Sequence, residues 1–415
     1  MTRRLLQAAL VLLLAACGSS SGTPAQQPAS SGQRFTISTV ASFDNPWAMA
    51  FLPGSGVPMT KMALVTEKVG RLSLVDVTTG AKRDVAGVPA VVYKGQGGML
   101  DVAVSPGFAG DGLVYLTYSE HSSMGGSGLA LSRAKLVDVA TAPRLEGLTV
   151  MWHDPGGGEG GQFGAIIAFA PDGKSLFLTS GERQRFTPAQ DPSSPLGKIL
   201  HLTLDGKPAP DNPLAGRSGA ATVQVINPPR DTESGKQAVG RRVAWPGPNL
   251  TPAETWTTGH RNPYGLAFDS AGRLWEVEMG PRGGDELNLI LPGKNYGWPL
   301  VSEGENYDGV PIPKPSTRPD LERAKLSWVP SISPTSLLIY GGDLFPEWKG
   351  SGFIGTLTGK GLVRVTFNGD QASKAEELEM PRSRIRFVGQ GPEGAIYLLE
   401  DGAGGRMLRL TPARR

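Results

Sequence analysis

The sequence predicts an all-β protein, a six-bladed β-propeller with long loops over its central channel, and three observations predict it. The chain has 415 residues with 57 glycines and 35 prolines. Glycine is therefore about twice its usual ~7% share, which requires many turns between short strands. A unit of apolar strand, Pro/Asp/Gly turn and second apolar strand recurs six times, the mark of a repeat architecture. No stretch carries the 3.6-residue apolar period of a long amphipathic helix.

The copies run Trp47–Leu74, Leu100–Thr117, Ile166–Thr179, Tyr264–Val277, Leu337–Leu357 and Ile385–Leu399. Four carry explicit turn chemistry, at Ser105-Pro106-Gly107, Pro171-Asp172-Gly173, Ser270-Ala271-Gly272 and Pro392-Glu393-Gly394. Most are followed by a third strand, such as Gly70–Val75, Ile199–Leu204, Glu286–Leu291, Gly361–Phe367 and Met407–Leu410. Radial closure removes the exposed edges that such sheets otherwise present. The strand Arg34–Val40, which precedes the first copy, is expected to complete the last blade and close the ring. The uneven spacing of copies implies insertions at Ser119–Gly161, Asp205–Thr258 and Asn295–Ser336, expected to gather over the channel.

The amino terminus reads differently. Arg3-Arg4 and the apolar stretch Leu5–Leu14 form a signal peptide, too short to span a bilayer. It ends in Leu14-Ala15-Ala16-Cys17, which resembles a bacterial lipobox with Cys17 as the lipidated residue. Cys17 is the single cysteine, so no internal disulfide competes for it. Residues 1–17 are thus expected to be a lipoprotein signal, 18–33 a Ser/Gly/Gln/Pro-rich tether, and 34–415 the propeller. The expected location is the cell envelope, on the periplasmic side and anchored in the outer membrane through the lipid alone. A net charge of +3 from scattered residues points away from nucleic acid.

The candidate site centres on Gly259–Pro299, GHRNPYGLAFDSAGRLWEVEMGPRGGDELNLILPGKNYGWP. Arg261 and Asn262 stand at the entrance to one strand, and Gly280-Pro281 ends the next, shortly before Asp285-Glu286. A guanidinium beside paired carboxylates in a glycine-rich loop suits an anionic ligand and a hard cation side by side. Four histidines and one cysteine, all far apart, give no zinc spacing. Arg384 and Arg386 flank Ile385, so on a strand both guanidiniums share one face.

These residues resemble the soluble aldose sugar dehydrogenases that use pyrroloquinoline quinone (PQQ). The likeness extends over most of Arg34–Leu410. It includes GHRNPYGLAFD, EMGPRGGDELNLILPGKNYGWP, GQGGMLDVAVSPGF at Gly95–Phe108, SGERQ at Ser180–Gln184 and the Arg384–Arg386 pair. The resemblance implies a six-bladed propeller holding PQQ and Ca²⁺ over the channel. It implies that Arg384 and Arg386 meet the PQQ carboxylates, and that Arg261, Asn262 and Gln96 contact the cofactor. Gly280 and Pro281 would offer carbonyls to the calcium beneath it, while Asp285, Glu286 and Tyr296 match a second, structural calcium site. The implied reaction is hydride transfer from sugar C1 to the quinone, with electrons passed to an envelope acceptor.

The chain also departs from that family. Counting back from Pro171-Asp172-Gly173 places Gln162 where the family has a catalytic histidine, and Ile166 where it has an arginine. Glutamine orients a hydroxyl but does not take its proton near neutral pH. Glu182, beside that position in the family, and the loop histidine His153 are the alternative proton acceptors. Tyr264 replaces a common glutamine, and Thr358 stands where some members have a cofactor lysine, with Lys360 nearby. Three functional readings follow: a PQQ- and calcium-dependent sugar dehydrogenase, a non-catalytic PQQ- or sugar-binding propeller that has lost its base, and a calcium-dependent lactonase suggested by fold analogy alone.

Overall fold

The first strand of every predicted repeat becomes an inner strand of the fold. In the computed structural model these are Pro46–Phe51, Met99–Val104, Gly164–Phe169, Pro263–Phe268, Pro334–Ile339 and Ile385–Gln390. Each packs against the next and the sixth against the first, closing a ring of six blades. Three of them begin with proline, a position where no ladder donor is lost. The structure describes residues 26–27, 34–53, 61–122, 125–154, 161–225, 240–359, 361–378, 380 and 384–413.

Blades 1–5 are four-stranded antiparallel sheets built outward in sequence order, whereas blade 6 takes its outer strands from the beginning of the propeller sequence. The second strands, such as Met62–Glu67, Ser175–Ser180 and Ile396–Glu400, are buried almost throughout because a neighbouring blade covers each face. That is why they read as continuous apolar runs. Outer strands such as Gln371–Leu378 alternate with exposed polar residues. The core is correspondingly a series of layers between blades. Trp275 of blade 4 meets Phe367 of blade 5 at 4.5 Å.

Side chains also lock successive blades. Thr66, Thr117 and Thr179, each on a second strand, donate to carbonyls of the following blade at Leu100 (2.5 Å), Ala165 (2.8 Å) and Pro263 (3.0 Å). Asp101 accepts from the Ile167 N–H at 2.8 Å, tying blade 2 to blade 3 beside a channel cavity of about 400 Å³.

Closure follows the expected route, by a longer strand. Phe35–Asp44 pairs antiparallel with Ala403–Pro412 as the fourth strand of blade 6. Phe35 then packs on Trp348 at 5.9 Å. Gln26–Gln27, assigned to the tether from sequence, pairs with Ile37 and Ser38 as a short edge strand. The rest of the tether, the signal segment and Cys17 lie outside the described residues.

One expectation is corrected. The described part of Ser119–Gly161 belongs to blade 2 and is not a cover over the channel. It supplies Ser127–Val137 and Arg144–His153, the third and fourth strands of blade 2. The third strand is mostly buried and the outermost mostly exposed on its face, so together they read as an irregular insertion. Asp205–Thr258 contains a separate hairpin, Thr222–Val225 with Arg241–Ala244, before Thr255–Thr258 completes blade 3. The third insertion includes Leu326–Trp328, the outer strand of blade 4.

Candidate functional site

Gln96, Gln162, Asn262 and Ser333 each stand just before the inner strands of blades 2, 3, 4 and 5. Closing the ring therefore gathers them at one mouth of the channel. Together with Arg261, Gly280 and Pro281 they line a pocket of about 610 Å³. Six of the sequence-predicted residues meet there from four separate segments. Gln184, Tyr307 and Asp308 also line it, and sequence reasoning did not single them out.

The backbone around this pocket is held in uncommon conformations. Gln162, Gln184 and Ser333 all have positive φ, at 54°, 60° and 50°. Such strain persists only where the surroundings enforce it. Here the Gln162 N–H donates to Gln96 Oε1 at 2.8 Å, and Gln162 Oε1 accepts from the Gln184 N–H at 3.2 Å. Behind it, the buried Arg183 stacks its guanidinium 3.7 Å over Phe163 and donates to the Gly161 carbonyl at 2.9 Å. Gly181 has to be glycine: a Cβ there would lie 2.1 Å from the Gln162 carbonyl oxygen.

Gln96 is oriented by its partners. A backbone N–H only donates, so the atom facing Gln162 is oxygen. The Tyr264 hydroxyl donates to the same oxygen at 3.0 Å. The Gln96 amide NH₂ is thereby turned away from both.

Arg261 is buried and donates to the carbonyls of Met279 (3.1 Å) and Gly280 (2.6 Å), with its guanidinium 5.2 Å from the Trp298 ring. The Gly280 carbonyl predicted to face calcium therefore already accepts from Arg261. Asn262 accepts from the Gly164 N–H at 3.4 Å and reaches Met279 Sδ at 3.7 Å.

Arg384 and Arg386 are not among the described residues lining this pocket. Both reach Asp401, at 3.0 and 2.6 Å, from the inner-strand entrance of blade 6. Burial would raise the Asp401 carboxyl, but the two guanidiniums outweigh it and hold it below the usual range. Lys68 stands in the same electrostatic neighbourhood, its ammonium lowered by burial and by Arg386. Thr358 donates to the Ser331 carbonyl at 3.0 Å, and Lys360 lies outside the described residues.

Two proton acceptors suggested by sequence do not reach the pocket. Glu182 is fully buried and its carboxylate accepts the backbone N–H groups of Gln184 (3.1 Å), Arg185 and Phe186. It organises the turn after the second strand of blade 3. His153 pairs with Glu120 at 3.3 Å at the end of an outer strand.

The acidic turn is likewise rearranged. Asp285 spends its carboxylate on the N–H groups of Gly280, Ile332 and Ser333 and on the Ser331 hydroxyl, at 2.7–2.9 Å. The Tyr296 hydroxyl bridges the Leu289 carbonyl (2.6 Å) and the Leu291 N–H (2.9 Å). Both side chains are thus engaged within the protein by these hydrogen bonds.

Glu286 instead meets two carboxylates that the sequence reading passed over. Glu276 and Glu278 alternate along Leu274–Glu278 and share one face with Glu286 and Asn288 of the next strand. Asn288 Nδ2 donates to all three, at 3.1, 3.3 and 3.2 Å. His260, Glu276 and Glu278 bring ligand atoms within 4.8 Å of one another. Glu276 Oε1 and Asn288 Oδ1 are buried without a hydrogen-bond partner. Burial and the charge on Glu278 raise Glu276 well above the usual carboxyl range and push Glu286 up to about 8. Glu278, Glu286 and Tyr296 also line a small space of about 10 Å³ that shares Arg261, Gly280 and Pro281 with the main pocket. Oxygen-rich donors around a void of one small sphere suit a hard cation.

Known proteins are similar to this chain over most of its length. The chain is 34% identical over 374 residues to the aldose sugar dehydrogenase YliI of Escherichia coli (strain K12), covering 89% of this chain and 90% of that one. A crystal structure of a glucose dehydrogenase superposes with a TM-score of 0.77 at 38% identity, over 90% of this chain and 99% of the other. The PQQ-bound aldose sugar dehydrogenase of Streptomyces coelicolor superposes at 0.67 and 26% identity, over 91% and 98%. The glucose/sorbosone dehydrogenase family model matches residues 43–225 and 246–409, and the chain belongs to that family.

Proposed function

We propose that this protein is a quinoprotein oxidoreductase that oxidises the C1 hydroxyl of aldose sugars, with PQQ as the resident oxidant and Ca²⁺ as its metal. The observation that carries the reading is the 610 Å³ pocket, in which Gln96, Arg261, Asn262 and the Gly280-Pro281 turn converge over the channel mouth. The donors fit a planar tricarboxylate quinone. The Gln96 amide and the Arg261 guanidinium offer N–H groups, and the cationic set of Lys68, Arg384 and Arg386 stands at the same mouth to meet carboxylates. PQQ would supply a two-electron acceptor for hydride.

Within that frame the chain's own side chains orient and neutralise. Arg261, braced on the Met279 and Gly280 carbonyls, would stabilise negative charge developing at the pocket floor. Gln162 would orient a sugar hydroxyl by hydrogen bonding. Calcium would be held by Glu278 and Glu286 beneath the Gly280-Pro281 turn, in place of the set containing the Asp285 and Tyr296 side chains. Export as a Cys17 lipoprotein to the cell envelope, with electrons passed to an acceptor there, completes the proposal.

A second reading, a cofactor-binding propeller without turnover, is favoured by Gln162 standing where its relatives' catalytic histidine is expected. Titrating the calcium-loaded protein with PQQ and then adding an aldose panel separates the two. Bleaching of the quinone absorption and dye reduction support the dehydrogenase. Saturable PQQ binding with no bleaching by any aldose overturns it.

A further inference from the structure

Oxidising a hydroxyl removes a proton as well as a hydride, and the groups described above give that proton no acceptor. Gln162 and Gln184 are amides, Glu182 is sealed among backbone N–H groups, and His153 lies away from the pocket on an outer strand. The third insertion supplies what is missing. A tight turn over 306–310 is closed by the Asn306 side chain donating to the Val310 carbonyl (2.9 Å) and by the Val310 N–H donating to Asp308 Oδ1 (3.1 Å). It presents Tyr307 and Asp308 to the same pocket that Gln162 lines, with the Tyr307 ring 5.9 Å from the Arg261 guanidinium. Among the described residues that line this pocket, Asp308 is the one carboxylate.

We propose that Asp308 is the catalytic proton acceptor of this enzyme, taking the role that a histidine at position 162 would fill. The inference rests on the dehydrogenase reading above. The O–H bond of the sugar's C1 hydroxyl breaks with its proton moving to the Asp308 carboxylate, and its electron pair becomes the second C–O bond of the lactone carbonyl. The C1–H pair leaves as hydride to the ortho-quinone, so the sugar loses two electrons and the quinone gains them. Asp308 is exposed at the rim, which lets the proton pass on to water after each turnover. A carboxylate is a weaker base than an imidazole. It therefore selects for the hemiacetal hydroxyl of an aldose, which is more acidic than an ordinary alcohol, and the activity should discriminate against simple alcohols.

The test uses the full chain loaded with PQQ and Ca²⁺, comparing wild type with Asp308→Asn and Asp308→Glu. A positioned base contributes about 10²–10⁴ in rate, so Asp308→Asn should lower kcat by about a hundredfold or more. Its PQQ Kd, read by titration, should be unchanged. Asp308→Glu, which keeps a carboxylate at the pocket, should retain much of the kcat that Asp308→Asn loses. An Asp308→Asn variant with full kcat overturns the proposal, as does a loss of kcat that merely follows weakened PQQ binding or that Asp308→Glu shares in full. Wild-type protein that binds PQQ yet oxidises no aldose overturns the dehydrogenase reading and this proposal with it. An active wild type with an indifferent Asp308→Asn overturns this proposal alone.

Discussion

The Tyr264 hydroxyl donates to Gln96 Oε1 at 3.0 Å, joining the inner strand of blade 4 to the loop before blade 2. The same oxygen receives the Gln162 N–H at 2.8 Å. Tyr264 is thus a positioning residue that fixes which end of the Gln96 amide donates into the pocket.

Tyr264→Phe should keep the fold, because the ring keeps its edge-on contact with Trp47 at 6.0 Å. Losing one hydrogen bond of about 1 kcal/mol should weaken PQQ binding roughly fivefold. Titration of the apoprotein measures it. Unchanged affinity would mean that Gln96 needs no such partner.

Gln162→His should raise kcat by at least about tenfold, since a positioned imidazole is a stronger base than a carboxylate. Histidine tolerates positive φ better than most residues, so the backbone at 54° should accept it. Steady-state dye reduction with an aldose reads the change. A variant no faster than wild type would show that position 162 does not face the reacting hydroxyl.

Calcium should stabilise the protein, because Glu276, Glu278 and Glu286 crowd together in a buried space with an unpartnered oxygen. At a hundredfold excess over Kd the gain is about 2.7 kcal/mol. It should appear as a raised thermal midpoint that a chelator reverses. Glu278→Gln should abolish the response while Asp285→Asn should not remove it selectively, since Asp285 serves backbone donors instead. Equal calcium responses in wild type and Glu278→Gln would refute the assignment.

Asp101 should make stability fall as pH rises. Burial pushes its carboxyl from 3.8 up to about 7, against two backbone N–H bonds that lower it. A raised carboxyl favours the folded state most below its unfolded value. That contribution is lost between about pH 4 and 7, at about 1.4 kcal/mol per unit and on the order of 4 kcal/mol in all. Asp101→Asn places an amide NH₂ against one of those donors and should be less stable than wild type at pH 5. The gap should narrow by pH 8. Urea unfolding at both values tests this, and a constant gap would count against it.

The sequence by itself determined the ring. Six apolar strands with Pro/Asp/Gly turns leave few ways to bury both faces of each blade except against the next. The strand at Phe35–Asp44 then has the last blade as its partner. It also determined which segments meet at the channel mouth, because Gln96, Arg261 and Asn262 sit at the starts of repeats. What only the tertiary structure decided is the division of labour among the acids. Glu276 and Glu278 looked like ordinary strand residues, and their shared face with Glu286 appears only once the two strands pair in register. Asp285 and Glu182, acidic residues in suggestive loops, are consumed by backbone donors that sequence does not display. Asp308 lies far from every repeat signal and reaches the pocket through the course of an irregular insertion. Strand periodicity repeats and is therefore legible in one dimension, whereas hydrogen-bond demand and loop trajectory depend on neighbours that only the closed ring brings together.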